Sequence, residues 1–100
     1  MPEFNVCVPH RIGRRAALLR VERFLNELGH DHAEQIRDIH REWHDNRLEF
    51  TFTARGMQVQ GILVVEDDAV HVSGPAQLSV LLFRSQIEET IRRELESLLQ

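Results

Sequence analysis

The sequence predicts an α+β fold, a two-layer sandwich in which two helices cover one face of an antiparallel meander sheet. The predicted order is β-α-β-β-β-β-α. Two segments carry apolar residues at helical spacing, and the region between them alternates apolar and polar residues over four short runs. Short turns separate these runs, so neighbouring strands are antiparallel. A chain of 100 residues has room for one core, and we expect a single domain over residues 1–100.

The N-terminal part predicts a strand and then a helix. Apolar residues alternate up to Pro9 and indicate the strand, at Phe4, Val6 and Val8. The sequence does not determine where this strand joins the sheet. From Arg14 to Leu28 the apolar residues share one helical face, at Ala17, Leu18, Val21, Phe24, Leu25 and Leu28. Gly29 is expected as the helix C′ residue, and the polar residues 30–35 fit a loop or one helical turn equally well.

Four strands are predicted next, separated by turns at Asp45-Asn46, Arg55-Gly56 and Glu66-Asp67-Asp68. In the first of them, Ile39, Arg41 and Trp43 share the apolar face, and Trp43 is expected to pack in the core or at its rim. The next two are expected to alternate over residues 48–54 and 57–65. The last begins at Val70 and Val72 and ends at Gly74-Pro75.

The last quarter of the chain predicts an amphipathic helix whose apolar face must be buried against other parts of the chain. Its apolar stripe consists of Val80, Phe83, Ile87, Ile91, Leu95 and Leu98. Two starts are compatible with the sequence. Ser85 and Glu88 have the spacing of a capping box, whereas the unbroken stripe favours a start near Ser79.

Composition excludes several classes of function. The net charge is −4, and 12 basic residues are interleaved with 16 acidic ones, so we expect no nucleic-acid partner. No apolar run approaches the roughly 18 residues of a membrane span, and the start lacks the features of a signal peptide. Cys7 is the only cysteine, which suits a reducing compartment and is typical of a small hydrophobic residue in a strand. We therefore expect a cytoplasmic protein without a transmembrane segment.

The six histidines do not predict a metal site. His30 and His32 flank Asp31 after a helix, but a metal needs three or four converging ligands. His40 and His44 resemble the spacing of a zinc helix, yet HREWH has its Glu one place away from the HExxH position. On a strand these histidines lie about 13 Å apart, too far for one metal. No metal and no cofactor are expected.

No group of residues predicts catalysis. No serine stands in a G-x-S-x-G elbow, and the pairs Asp67-Asp68 and Glu88-Glu89 are explained by a turn and a helix. His10 beside Arg11 is a candidate polar rim where a strand meets a helix. In the alternative interpretation, His10 stabilises that turn through hydrogen bonds to nearby backbone.

Leu81, Leu82 and Phe83 form the candidate interaction surface. Leu81 flanks the apolar stripe and Leu82 points away from it, and clustered exposed apolar groups often mark a partner surface. The alternative is burial under the neighbouring loop. An open meander also has unpaired edges, which together with an apolar patch favour a symmetric homodimer.

The order of these landmarks resembles the polyhydroxyalkanoic acid system family, small bacterial proteins named for genes near polyester-granule metabolism. The resemblance runs from about Phe4 to Leu99. Two departures are the long, histidine-rich segment 30–41 and Arg84-Ser85, where the family commonly has a basic residue and a glycine. The matching residues are Pro9, His10, Gly13, Ala17, Val21, Trp43, Leu48, Phe50, Gly56, Gly61, Asp67, Asp68, the LSVLLF run, Ile87, Ile91, Leu95 and Leu98.

The resemblance implies a role in polyester metabolism and brings no reaction and no catalytic residues. The leading hypothesis is a non-enzymatic accessory protein that contacts the polyester granule surface or granule-associated proteins. The second is a small helix-grip-like module that binds a hydrophobic acyl ligand, to which the short chain is an objection. The third is a hydrolase that uses His10.

Overall fold

A computed structural model describes residues 3–31, 36–54, 56–75 and 84–100 of the chain. The order of its elements confirms the predicted β-α-β-β-β-β-α succession. Two of the predicted turns have left-handed backbone, with φ at 57° for Asp45 and 78° for Gly56. The elements are β1 (Glu3–Pro9), α1 (Arg14–Asp31), β2 (Ile36–His44), β3 (Arg47–Ala54), β4 (Met57–Val65), β5 (Ala69–Pro75) and α2 (Arg84–Leu98).

The five strands form one antiparallel sheet in the order β1-β5-β4-β3-β2. Strands β2 to β5 are the predicted meander. The position of β1, which the sequence leaves open, is beside β5, with Val6 opposite Val72 and Val8 opposite Val70. The first strand therefore pairs with the last one, and the chain between them forms the rest of the sheet.

Both helices pack on the same face of the sheet, as predicted. Ala17 and Val21 of α1 and Leu95 of α2 are buried in one cluster with the inward residues of the strands. Leu99, which lies just beyond α2 and outside the predicted stripe, is buried there as well. Arg20 of α1 donates hydrogen bonds to the carbonyl oxygens of Leu98 and Gln100 and so joins the two helices. The cluster comprises Phe4, Val6, Val8, Ala17, Val21, Leu48, Leu63, Val65, Val70, Val72, Leu95 and Leu99.

One local prediction is wrong. Helix α1 continues through Gly29 and His30 to Asp31 instead of ending at Leu28. A glycine inside a helix costs about 1 kcal/mol relative to alanine, which lowers stability without ending the helix. Cys7 is exposed, because it lies on the outer face of β1, opposite the faces of Val6 and Val8. The choice between Ser79 and Ser85 as the start of the closing helix concerns residues 76–83, which lie outside the described residues.

A bulge changes the phase of β2. The pairing with β3 shifts between Arg37 and His40, and Asp38 has a φ of 55°. Ile36 and Ile39, an odd number of residues apart, are consequently both half-buried. Simple alternation would have placed them on opposite faces of the sheet.

Helix α2 covers the free edge of β1. The Asn5 backbone N–H donates to Glu88 Oε2 at 2.8 Å, and Arg92 donates to the carbonyl oxygen of Cys7 at 3.4 Å. The unpaired backbone N–H and C=O groups of an uncovered edge strand can form hydrogen bonds with a strand of another protein molecule. Two charged side chains of one helix thus occupy the backbone groups through which another chain would pair with β1.

We expect Glu88→Ala to expose this edge. Loss of the Glu88 carboxylate should lower the free energy of unfolding by about 1 kcal/mol and speed hydrogen exchange at the Asn5 amide roughly fivefold, because a charged acceptor of that amide is removed. Glu89→Ala is the matched control, since Glu89 is exposed and lies 4.0 Å from Arg93, another exposed side chain. Amide exchange followed by NMR tests this, and equal exchange in the two variants would contradict it.

Candidate functional site

An apolar cavity of about 240 Å³ lies between the sheet and the two helices. Helix α1 contributes Val21 and Phe24, and α2 contributes Ile91. Strand β3 contributes Phe50 and Phe52, whose rings stack with centroids 6.1 Å apart. These side chains come from both the sheet and the helices, so the cavity forms only where the two layers pack together.

The cavity adjoins a surface groove between α1 and β2. The groove has a volume of about 380 Å³ and includes Asn26 of α1 and Asp38 of the β2 bulge. Four residues line both spaces, namely Leu25, Ile36, Ile39 and Arg41. The bulged part of β2 therefore contributes to the walls of both the apolar cavity and the surface groove.

A polar network stands beside this junction. The Trp43 indole Nε1–H donates to Glu22 Oε2 at 2.5 Å, and Arg41 lies 3.5 Å from Glu22 Oε1. Arg41 also donates to Asn26 Oδ1. Trp43 is half-buried and packs against the core, as predicted for a residue at its rim. These polar contacts hold α1 to β2 beside the groove that lies between the two elements.

Neither Glu22 nor Asn26 was predicted as a site residue. Both appear in the sequence as ordinary polar positions on the outer side of an amphipathic helix. Glu22 lies next to Val21, and Asn26 next to Leu25, at the boundary of the apolar stripe. That boundary position is a weak signal, since many helices place polar residues there.

His10, a predicted rim residue, is buried at 8% exposure. Its Nδ1 accepts a hydrogen bond from the Ile12 N–H at 3.3 Å, which leaves Nε2 to donate to the Glu66 carbonyl oxygen at 3.0 Å. The His10 backbone N–H donates to the carbonyl oxygen of Asp68. The ring thus joins the β1–α1 turn to the β4–β5 turn. Arg11 beside it is exposed.

Cys7 and His71 face each other on the outer side of the sheet. They are register partners in β1 and β5, and Cys7 Sγ lies 4.0 Å from His71 Nε2. Both side chains are exposed. Sequence spacing gave no sign of this pair, because 64 residues separate the two.

Glu42, His44 and Glu49 are the described side chains whose spacing could suit a metal ion. Glu42 and Glu49 are directly opposite in the β2–β3 hairpin, where like charges repel. His44 Nε2 lies 3.6 Å and 3.8 Å from their oxygens, and Arg47 lies 3.7 Å from Glu49. All are exposed. Cross-strand charge balance accounts for this cluster, and we assign no metal to it.

Other predicted positions fall on parts of the chain that the structure does not describe. The candidate surface of Leu81, Leu82 and Phe83 lies outside the described residues, and so does His32. Of the side chain of His30 nothing is described. Within the described ranges, Leu19 is the strongly exposed large apolar residue, at 66% exposure on α1.

Neither described helix combines the length and the hydrophobicity that crossing a bilayer requires. No curated protein and no solved structure matches the chain significantly. The family model of the polyhydroxyalkanoic acid system protein (PHA_gran_rgn) matches residues 4–99. This match spans every element from β1 to α2 and includes the landmarks from Pro9 to Leu98 that carry the resemblance. The chain therefore belongs to the polyhydroxyalkanoic acid system family.

Proposed function

We propose that this protein is a non-enzymatic, cytoplasmic accessory protein of polyhydroxyalkanoate metabolism, which acts by contact with the granule surface or with granule-associated proteins. Membership of the family, matched over residues 4–99, is the observation that carries the proposal. The family brings a metabolic context without a reaction. A role in binding agrees with that context.

The distribution of apolar residues supports contact through Leu81, Leu82 and Phe83. Leu19 is the large apolar side chain most open to solvent among the described residues. The run LSVLLF, by contrast, places five apolar residues within six positions just before α2. A polyester surface is apolar, and such a run is the richest source of matching side chains in the sequence.

The bonding of His10 argues against the hydrolase hypothesis. Both ring nitrogens are engaged with backbone groups, and the residue is almost completely buried. A general base must reach the proton that it removes from a bound substrate. His10 would have to break a bond that holds two turns together before it could do so.

Binding to polyhydroxybutyrate particles tests the proposal. We expect Leu82→Asp to lower the amount of particle-bound protein at least tenfold, because a carboxylate in an apolar contact loses its hydration. Leu19→Asp is the matched control and should bind as the unchanged protein does. Melting curves establish that both variants are folded. Equal binding of a folded Leu82→Asp variant would exclude Leu82 from the contact.

A symmetric homodimer is part of the same proposal. The covered edge of β1 leaves β2 as the other edge strand of the sheet. An edge strand of one copy can pair with that of a second copy about a twofold axis. Light scattering of the purified protein measures the mass directly.

The second candidate function is the binding of a hydrophobic acyl ligand. The cavity of about 240 Å³ favours it, because this cavity lies between the sheet and the two helices, as a helix-grip site does. It is smaller than the roughly 300–1,000 Å³ of drug-sized pockets, so only a small ligand fits. Native mass spectrometry of freshly purified protein would reveal an acyl compound that co-purifies with it.

A further inference from the structure

We propose that the cavity opens between α1 and the bulge of β2 and binds one short, unbranched acyl chain whose neutral polar end, an ester or an amide, lies beside Arg41. This inference rests on the second candidate function and specifies its ligand and its entrance. It does not depend on the contact surface at Leu81, Leu82 and Phe83.

The volume limits the length of the chain. An apolar protein cavity of roughly 150 Å³ stays dry and takes up benzene, which has six carbon atoms. At the same packing, about 240 Å³ accommodates roughly eight to ten carbon atoms. A longer chain would have to leave the cavity, and a single acetyl group would leave most of it empty.

The lining of the cavity favours an alkyl chain. Among the described residues that line the cavity, Arg41, Thr90 and Glu94 are the polar ones, and they contribute almost no polar surface to its wall. Burial of apolar surface is then the main source of affinity, at roughly the same gain for each methylene. A polar group inside the cavity would lack partners, so the polar end of the ligand has to lie at the opening.

The opening is set by the β2 bulge. Leu25 of α1 and Ile36 and Ile39 of β2 line both the cavity and the outer groove. The extra residue at Asp38 interrupts the pairing of β2 with β3 at this point. A regular strand would continue the sheet without such a break, whereas a bulge bends it and redirects its side chains.

The charges at the opening select a neutral head group. Among the described residues there, two carboxylates, those of Glu22 and Asp38, line the groove or join the network, against one guanidinium, that of Arg41. Asn26 already accepts a hydrogen bond from Arg41, and Glu22 forms an ion pair with it. Arg41 has five N–H donors, so it can still donate to an ester or amide carbonyl oxygen. A free carboxylate would instead meet an excess of negative charge.

The single tryptophan reports on this site without a label. Trp43 is bonded to Glu22, which pairs with Arg41 at the opening. We expect methyl octanoate to change Trp43 fluorescence in a saturable titration. Sodium octanoate, with the same chain and a charged end, should bind at least tenfold more weakly. Equal affinity for the two compounds would contradict the preference of the site for a neutral head group.

A pair of valine substitutions on β4 locates the ligand. Val59 lines the cavity, whereas Val64 lies on the opposite face of the same strand. Val59→Leu adds one methylene to the cavity and should weaken methyl octanoate binding at least fivefold, and Val64→Leu adds the same group elsewhere and should leave it unchanged. Melting curves confirm folding of both.

The outcomes separate this inference from the proposed functions. Absence of methyl octanoate binding, or equal weakening by the two valine variants, would overturn the cavity site. Particle binding would then still stand as a test of the accessory role. A co-purifying acyl compound that is retained equally by Val59→Leu would support ligand binding by the protein and would contradict its location in this cavity.

Discussion

Replacing Gly74 with alanine should lower the free energy of unfolding by about 3 kcal/mol, the upper end of the usual cost of overpacking. A Cβ atom at Gly74 would overlap the carbonyl oxygen of Gln60 on the neighbouring strand β4 and would lie 2.9 Å from two ring atoms of Phe4. That oxygen belongs to the backbone of β4, where Gln60 pairs with Thr51 of β3, so it cannot move without disturbing this pairing. The position therefore needs a residue without a side chain.

Gly61→Ala provides an instructive comparison. Its Cβ would lie 2.7 Å from Phe50 Cζ and 2.9 Å from the carbonyl oxygen of Ser73. The Phe50 ring can rotate away from the new methyl group, and the overlap with the Ser73 oxygen is smaller than the overlap with the Gln60 oxygen at Gly74. We therefore expect Gly61→Ala to cost less than Gly74→Ala.

Gly13→Ala separates steric overlap from backbone strain. Gly13 has a φ of 83°, and a Cβ atom there meets nothing within 4 Å. Its substitution should cost only about 1–2 kcal/mol, the price of a left-handed conformation. Thermal melting followed by circular dichroism compares the variants, with about 4–8 °C expected for each kcal/mol in a domain of this size. A Gly74→Ala variant no less stable than Gly13→Ala would contradict the overlap.

The periodic parts of the fold could be predicted because each has a period that its environment imposes. Alternation in β3 and β4 reflects one face against the helices and one facing away, and the stripe of α1 reflects its contact with the sheet. The turns were recognisable from Asp45-Asn46 and Gly56, residues that tolerate left-handed backbone. These signals are local, and a local signal can be read from neighbouring residues.

The features that could not be predicted depend on contacts distant in sequence. β1 has an apolar face that would suit either edge of the sheet, and only its pairing with β5 decides between them. The bulge at Asp38 adds one residue to an irregular strand and leaves no periodic signal.

The candidate site was out of reach of the sequence for the same reason. Residues of all five strands and of both helices line its cavity. Such a cavity depends on how these elements pack together, and no single side chain predicts it. The hydrogen bond between Trp43 and Glu22 joins residues 21 positions apart. What the sequence did offer was the excess of apolar residues near α2 and the placement of Trp43 on the inner face.

Truncation of Phe4 to alanine should remove about 3–5 kcal/mol from the free energy of unfolding, because Phe4 is completely buried and a large ring is lost. A domain of this size has a total stability of about 5–15 kcal/mol. The variant is thus expected to lose a large part of its stability. Asn5→Ala, on the outer face of the same strand, should stay within about 0.5 kcal/mol of the unchanged protein.

Urea denaturation followed by Trp43 fluorescence measures these differences, and the result tests how β1 is held. Phe4 lies in the core cluster and against Gly74 of β5. If β1 were held to the sheet only by its backbone hydrogen bonds, loss of the Phe4 ring would not change the stability. Phe4→Leu retains much of the buried volume and should cost clearly less than Phe4→Ala. If Phe4→Ala and Asn5→Ala cost the same, β1 would not be part of the core. The expected contrast instead makes the N-terminal strand as necessary to the fold as the meander it completes.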